Sequence, residues 1–200
     1  HDYVQHINTL HHFLSKKRFT EASQYIEMLV ENYEYFGQSI RREQGHVASI
    51  LYQYQLKANH GNIDVIYDLE QPLSSLPMET TDQMKLLNNL LNNAYDAAKQ
   101  SDGASKEIHV MTSIYGGFYK LVIENSADRP PDYILDHLFN KFGMTTKGHD
   151  HEGLGTYIIA DIVDRHDGEI KHLFDAGKMK IIIQIPVIKG EETVSIDAST

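Results

Sequence analysis

Four asparagines stand within one short apolar stretch, LLNNLLNNAYDAA at 86–98: Asn88, Asn89, Asn92 and Asn93. The stretch reads as a helix, yet asparagine costs roughly 0.6 kcal/mol against alanine in a helix interior. Its amide also competes for neighbouring backbone groups. On a helix, Asn89, Asn93 and Asp96 fall at i, i+4 and i+7 and line one polar stripe. Leu86, Leu87, Leu90, Leu91, Ala94, Ala97 and Ala98 make a broad apolar side. Amide oxygens and a carboxylate in a row suit a hard cation such as Mg²⁺, which takes oxygen ligands and keeps several waters. Lys or Glu would serve a merely solvated face better, so the repeated Asn point to ligand chemistry.

A second cluster is FGMTTKGHDHEGLGTYII, with glycines at 143, 148, 153 and 155. Gly153-Leu154-Gly155 runs directly into a predicted helix. Free backbone N–H groups and a helix N-terminus then meet at one place, which suits an anion. Thr145, Thr146 and Lys147 add hydroxyls and one positive charge. The same glycines also fit a plain mobile connection. His149, Asp150, His151 and Glu152 have spacing that a transition metal can use, but read better as a polar loop. His11-His12 reads as a packed or solvated pair.

A third cluster opens the chain, HDYVQH. His1 neighbours Asp2, and Gln5 is i+4 from His1 on the same helix face. An imidazole nitrogen can attack phosphorus when an acceptor holds its other nitrogen. With 12 His in the chain, the pair means little in isolation.

These residues need elements to position them. Over 1–44 apolar residues recur every three or four positions, with SKKRFT at 15–20 as a polar break. That predicts a helical hairpin, and its Ile26–Leu29–Tyr33–Phe36 stripe calls for a partner copy and a four-helix bundle. After Gly45 the pattern becomes mixed. Helices are expected over 46–59, 79–100 and 156–168, with NHGN stopping the first. IDVIYDLE alternates as a strand. Hairpins turn at Gly116-Gly117 and at Asp175-Ala176-Gly177, and a short helix follows Pro130-Pro131. The expectation is an α+β fold: 1–44 a helical hairpin, 45–189 one sheet covered by helices, 190–200 a polar tail.

Bulk properties narrow the partners. The chain has 200 residues, 18 basic against 28 acidic, for a net charge of −10. That argues against nucleic acid or an anionic membrane as the main partner. With no Cys there is no thiolate chemistry. No run approaches the roughly 18 apolar residues of a membrane span. The chain opens in mid-pattern without Met, as a piece of a longer protein would.

The order of the motifs carries a resemblance over roughly 46–187. NLLNNA at 89–94, LFNKFGMTTKG and GLGTYII resemble the N box, the F box with its ATP lid, and the second glycine box of the GHKL ATPase superfamily. The resemblance implies a Bergerat-type sandwich with a mixed, mainly antiparallel sheet that binds ATP. It implies that Asn93 holds Mg²⁺ with Asn89 assisting. It also places Asp96, Lys141, Thr145, Thr146, Lys147, Gly153, Leu154, Gly155 and Thr156 around the nucleotide. Thr156 departs from the usual GLGL. The family's first glycine box, DxGxG, is absent from IENSADRPP, and Asn125 stands where Asp would accept from the adenine amine. An Asn oxygen still accepts, without the charge assistance.

A helical hairpin plus a GHKL domain resembles the cytoplasmic portion of a sensor histidine kinase. HDYVQHINTL looks like the phosphoacceptor box of the subgroup of citrate sensors, peptide quorum sensors and the sporulation phosphotransferase. There His1 corresponds to the phosphoacceptor, Asp2 to its orienting base, and Gln5 to the residue assisting regulator dephosphorylation. The implied partners are a response regulator receiver domain and a second copy in a homodimer. Nucleic acid is not one, and any membrane anchor lies outside this chain. Two readings compete: a phosphotransferase or scaffold that has lost ATP binding, favoured by the missing DxGxG, and a GHKL ATPase of the chaperone or mismatch-repair kind, opposed by HDYVQH.

Overall fold

The computed structural model describes residues 2–25, 40, 42–103, 105–136, 138–139 and 154–187, with backbone only over 2–8. The chain forms two compact units, His1–Arg41 and Arg42–Thr200.

In the first unit, helix α1 spans Asp2–Ser15. The expected break follows: Lys17 adopts a left-handed φ of 56°, and helix resumes at Phe19 and runs on through Tyr25. Phe13 stacks edge-on against Tyr25 at 5.9 Å, and the Arg18 guanidinium lies 5.7 Å from the Phe13 ring. Leu14 and Phe19 stay exposed. The Ile26–Phe36 stripe lies outside the described residues.

The second unit is a sheet with helices, built in the order α2 (Gly45–His60), β1 (Asp64–Leu69), a 3₁₀ turn (Leu73–Ser75), α3 (Thr80–Gln100), β2 (Glu107–Tyr115) and β3 (Phe118–Ser126). Then come α4 (Asp132–Leu135), α5 (Leu154–Arg165), β4 (Glu169–Asp175) and β5 (Lys178–Pro186). The five strands lie in the order β1-β2-β3-β5-β4. Among the described residues only the β1–β2 pair is parallel, and α3 lies in the crossover between them. Gly116 and Gly117, at φ 61° and 83°, make the tight β2–β3 turn that the strands' right-handed twist favours. The α2 stop uses Asn62 as its left-handed residue, at φ 52°, while Gly61 keeps φ −84°.

Alternation sets one face of the sheet against the helices. Tyr119, Leu121, Ile123 and Asn125 of β3 are buried, as are Met179, Ile181, Ile183 and Ile185 of β5. Against them lies the apolar side of α3, Leu86, Leu87, Leu90, Leu91, Ala94 and Ala98. Burying each of the four leucines contributes about 1.5–3 kcal/mol, which readily offsets the poor helix propensity of the asparagines between them. On the other face Lys180 and Lys178 pair with Glu124, and Lys178 also with Glu107, tying β2, β3 and β5.

Candidate functional site

The four asparagines of α3 divide by what they touch. Asn88 donates Nδ2 to Met84 O at 2.9 Å, and Asn89 donates Nδ2 to Lys85 O at 2.7 Å. These bonds run back one turn and satisfy the amide hydrogens locally. Asn92 turns toward α2, where its Oδ1 accepts from Lys57 Nζ at 3.1 Å. That ammonium also sits 4.2 Å from the Tyr95 ring centroid. With its N–H committed to Lys85, Asn89 has its acceptor oxygen to offer.

That oxygen meets the start of α5. A Cβ placed on Gly155 would lie 3.2 Å from Asn89 Oδ1 and 3.4 Å from Asn93 Oδ1. The two amide oxygens therefore converge on the start of α5, at the one residue type whose lack of a Cβ permits so close an approach. Leu154, Gly155 and Thr156 are all helical, so the helix already covers two residues ahead of the start that its periodicity suggested. Backbone N–H groups gather at such a helix end and point at whatever ligand meets it. Neutral oxygens beside a helix N-terminal end form a place for an anion together with a hard cation. These residues fit Mg²⁺ carrying a polyphosphate.

Asp96 continues the stripe, half-buried. Its charge adds to burial in raising the Tyr54 phenol to about 12. Tyr54 donates its hydroxyl to Asn88 O at 3.1 Å, fixing α2 on α3. Asn125 is 2 % exposed and ends the buried row of β3. Its Nδ2 donates to Ser126 O at 2.9 Å, so the function it has left to offer is the acceptor Oδ1.

The structure thus brings Asn89, Asn93, Leu154, Gly155 and Thr156 together, with Asp96 one turn on and Asn125 on β3. Asp2 and Gln5 lie in α1, where only the backbone is described. His1, Lys141, Thr145, Thr146, Lys147, Gly153 and the His149–Glu152 cluster lie outside the described residues. His11 and His12 are exposed, and among the described residues no group of His, Asp and Glu is arranged to hold a metal.

One cluster was missed from sequence. At the far end of the same helix pair, Asp82 accepts from Arg165 Nη1 at 2.8 Å and Nη2 at 3.3 Å, and from His166 Nε2 at 2.9 Å. Arg165 also bonds Asp161 at 3.1 Å. The His166 bond first, then Arg165, holds the Asp82 carboxyl below the ordinary aspartate value. Asp in a first helical turn and Arg in a last turn complement the helix dipoles, and that signal was visible. Their pairing across the fold was not.

The profile of the family described as histidine kinase-, DNA gyrase B-, and HSP90-like ATPase matches residues 79–189. Sensor histidine kinase NatK of Bacillus subtilis is 33% identical over 189 residues, covering 94% of this chain and 58% of NatK. Sensor histidine kinase CitA of Klebsiella pneumoniae is 23% identical over 174 residues, covering 85% of this chain and 32% of CitA. The chain thus spans a third to about three-fifths of these relatives. The catalytic domain of histidine kinase ThkA, in a nucleotide-free form, superposes with a TM-score of 0.59 at 23% identity. That superposition covers 76% of this chain and 92% of the domain. The profile covers more than half of the chain, on the helix and loop that build the site, and the relatives named are sensor kinases. The chain therefore belongs to the histidine kinase-, DNA gyrase B- and HSP90-like ATPases, among the sensor histidine kinases.

Proposed function

We propose that this chain is the catalytic portion of a two-component sensor kinase that binds Mg·ATP, phosphorylates His1 and passes the phosphoryl group to an aspartate of a response regulator. The observation that carries the reading is the convergence of the Asn89 and Asn93 oxygens on the start of α5. A phosphate seated there meets the positive end of the helix dipole. Asn125 Oδ1 accepts from the adenine amine. Asn93, with Asn89, holds Mg²⁺, which when bound offsets negative charge on the phosphate oxygens. Thr145, Thr146, Lys147, Lys141 and Gly153 complete the site from the lid by resemblance.

In the transfer, an imidazole nitrogen of His1 attacks the γ-phosphorus in line. The bond from that phosphorus to the bridging oxygen breaks, and ADP leaves with the electron pair. Asp2 holds the other ring nitrogen and takes up its proton. The regulator's carboxylate then attacks the phosphohistidine, and the imidazole leaves. Gln5 assists the reverse duty, dephosphorylation of the regulator. The unit His1–Arg41 pairs with a second copy, to which exposed Leu14 and Phe19 contribute apolar area. The membrane anchor and the sensor belong to sequence beyond this chain.

The test is labelling with γ-labelled ATP. Parent protein should acquire acid-labile label, and His1→Gln should acquire none while binding ATP as before. Label persisting on His1→Gln would sink the assignment. A parent that binds no Mg·ATP would favour the phosphotransferase or scaffold reading, for which the loss of the DxGxG acid at Asn125 is the supporting observation.

A further inference from the structure

The first residues of the second unit are pinned. The boundary between the two units falls at Arg41/Arg42. Directly after it, Arg42 Nη1 donates to Glu70 O at 3.4 Å. Both carboxylate oxygens of Glu43 accept from consecutive backbone N–H groups of the 3₁₀ turn, Leu73 at 2.7 Å and Ser74 at 2.8 Å. Gln44 N donates to Ser74 Oγ at 3.2 Å. Glu43 thus caps a turn some 30 residues further along the chain, a turn whose own capping position, Pro72, makes no side-chain cap.

The turn and α2 in turn hold the nucleotide helix. Gln83 of α3 is 5 % exposed. Its Nε2 donates to Ser74 O and Leu76 O at 3.0 Å and to Met78 O at 3.3 Å. Its Oε1 pairs with His46 Nε2 at 2.8 Å. A helix interior has no need of a buried amide, and burying one unpaired is costly. Gln83 spends its hydrogen-bonding capacity joining the chain at 43–46 and the turn at 73–78 to the start of the helix that carries Asn89 and Asn93. No other part of α3 is tied so densely to backbone outside itself among the described residues.

We propose that Glu43, His46 and Gln83 are positioning residues for phosphoryl transfer: they make the chain that enters the catalytic unit a fixed extension of the nucleotide helix. The inference rests on the reading of the chain as an ATP-dependent histidine kinase. The physical logic is the distance dependence of in-line attack. A misplacement of about 1 Å costs on the order of 100-fold in rate, and the clamped residues are those through which the chain bearing the phosphoacceptor is covalently joined to the nucleotide helix. The clamp touches none of the residues that converge on Gly155, so nucleotide affinity and transfer rate should respond to it separately.

The experiment measures Mg·ATP affinity and the rate of acid-labile labelling at saturating ATP on the same preparations, for parent, Glu43→Gln and Glu43→Ala. Glu43→Gln keeps the shape, and one of its two contacts becomes N–H facing N–H. Both variants should bind Mg·ATP within about 2-fold of parent. Labelling should slow, by roughly 10-fold for Glu43→Ala and less for Glu43→Gln. Thermal unfolding shows whether each variant is folded, and Glu43→Gln serves if Glu43→Ala is not. A parent that labels, with both variants labelling at its rate, overturns the positioning role alone. So does a labelling loss matched by an equal loss of ATP affinity, since the clamp would then act through the nucleotide site. A parent that does not label overturns the kinase reading and this inference with it.

Discussion

Helices α3 and α5 meet at two ends that are built in opposite ways. At one end Asp82, Arg165 and His166 close on each other with charge-assisted bonds of 2.8–3.3 Å. At the other end Asn89 and Asn93 present neutral oxygens to a glycine, so near that a Cβ there would crowd them. The first end is saturated from within the chain and holds the helices in register. The second presents neutral amide oxygens, which suit a ligand that brings its own charges. A solvated surface would not sort its residues this way. The difference separates what fixes the helix pair from what the pair is for.

The largest break should come from crowding the amide end. Gly155→Val puts branched carbon against two amide oxygens already within 3.4 Å of the Cβ position, and Mg·ATP affinity should fall by at least about 100-fold. Gly155→Ala should lower it roughly 10-fold while gaining up to about 1 kcal/mol of helix propensity. Affinity and stability moving in opposite directions, read by titration and by thermal unfolding, would mark the position as a site. Both falling together would mark it as packing.

Breaking the closed end should act on stability first. Asp82→Ala leaves His166 without this partner and Arg165 with Asp161 alone, and should cost about 1–2 kcal/mol, discounted because Arg165 is half exposed. The acid limb sharpens this. The Asp82 carboxyl sits below its ordinary 3.8 in the folded state, so its contribution is present above that pH and is lost as pH falls through the folded value. Asp82→Asn should flatten the stability profile below about pH 4 relative to parent. An unchanged acid limb would remove the clasp from the account.

Two smaller changes test the sides of α3 facing away from the site. Tyr54→Phe removes the bond to Asn88 O and should cost about 1 kcal/mol with no effect on ATP. At high pH parent should also lose stability from about pH 10, where a free phenol ionises, toward about 12, where the buried Tyr54 does. Tyr54→Phe should lose less of it over that window. Asn88→Ala should be nearly neutral, about 0.6 kcal/mol of propensity set against one local back-bond.

Elements with a strong period or a glycine turn were legible in the sequence, and the sheet's two hairpins fell at the expected residues. So were the Asn stripe and the GLG motif taken singly, because each rests on local spacing. Contacts between residues distant in sequence were not. Nothing local shows that Glu43 caps Leu73 and Ser74, that Gln83 is buried, or that Asp82 faces Arg165, since each depends on how elements pack. The different fates of Asn88 and Asn92 were equally hidden: one bonds within its helix, the other meets Lys57 across to α2.

The most direct test of the account is an Mg·ATP titration of Asn93→Ala beside Asn88→Ala and parent, with and without Mg²⁺. The amide end predicts that Asn93→Ala loses about 10- to 100-fold in Mg²⁺-dependent affinity, as expected for an interaction worth about 1.4–2.8 kcal/mol, while Asn88→Ala binds as parent does. Asn93→Ala binding Mg·ATP as tightly as parent would contradict the site, and with it the assignment of the asparagine stripe to ligand chemistry.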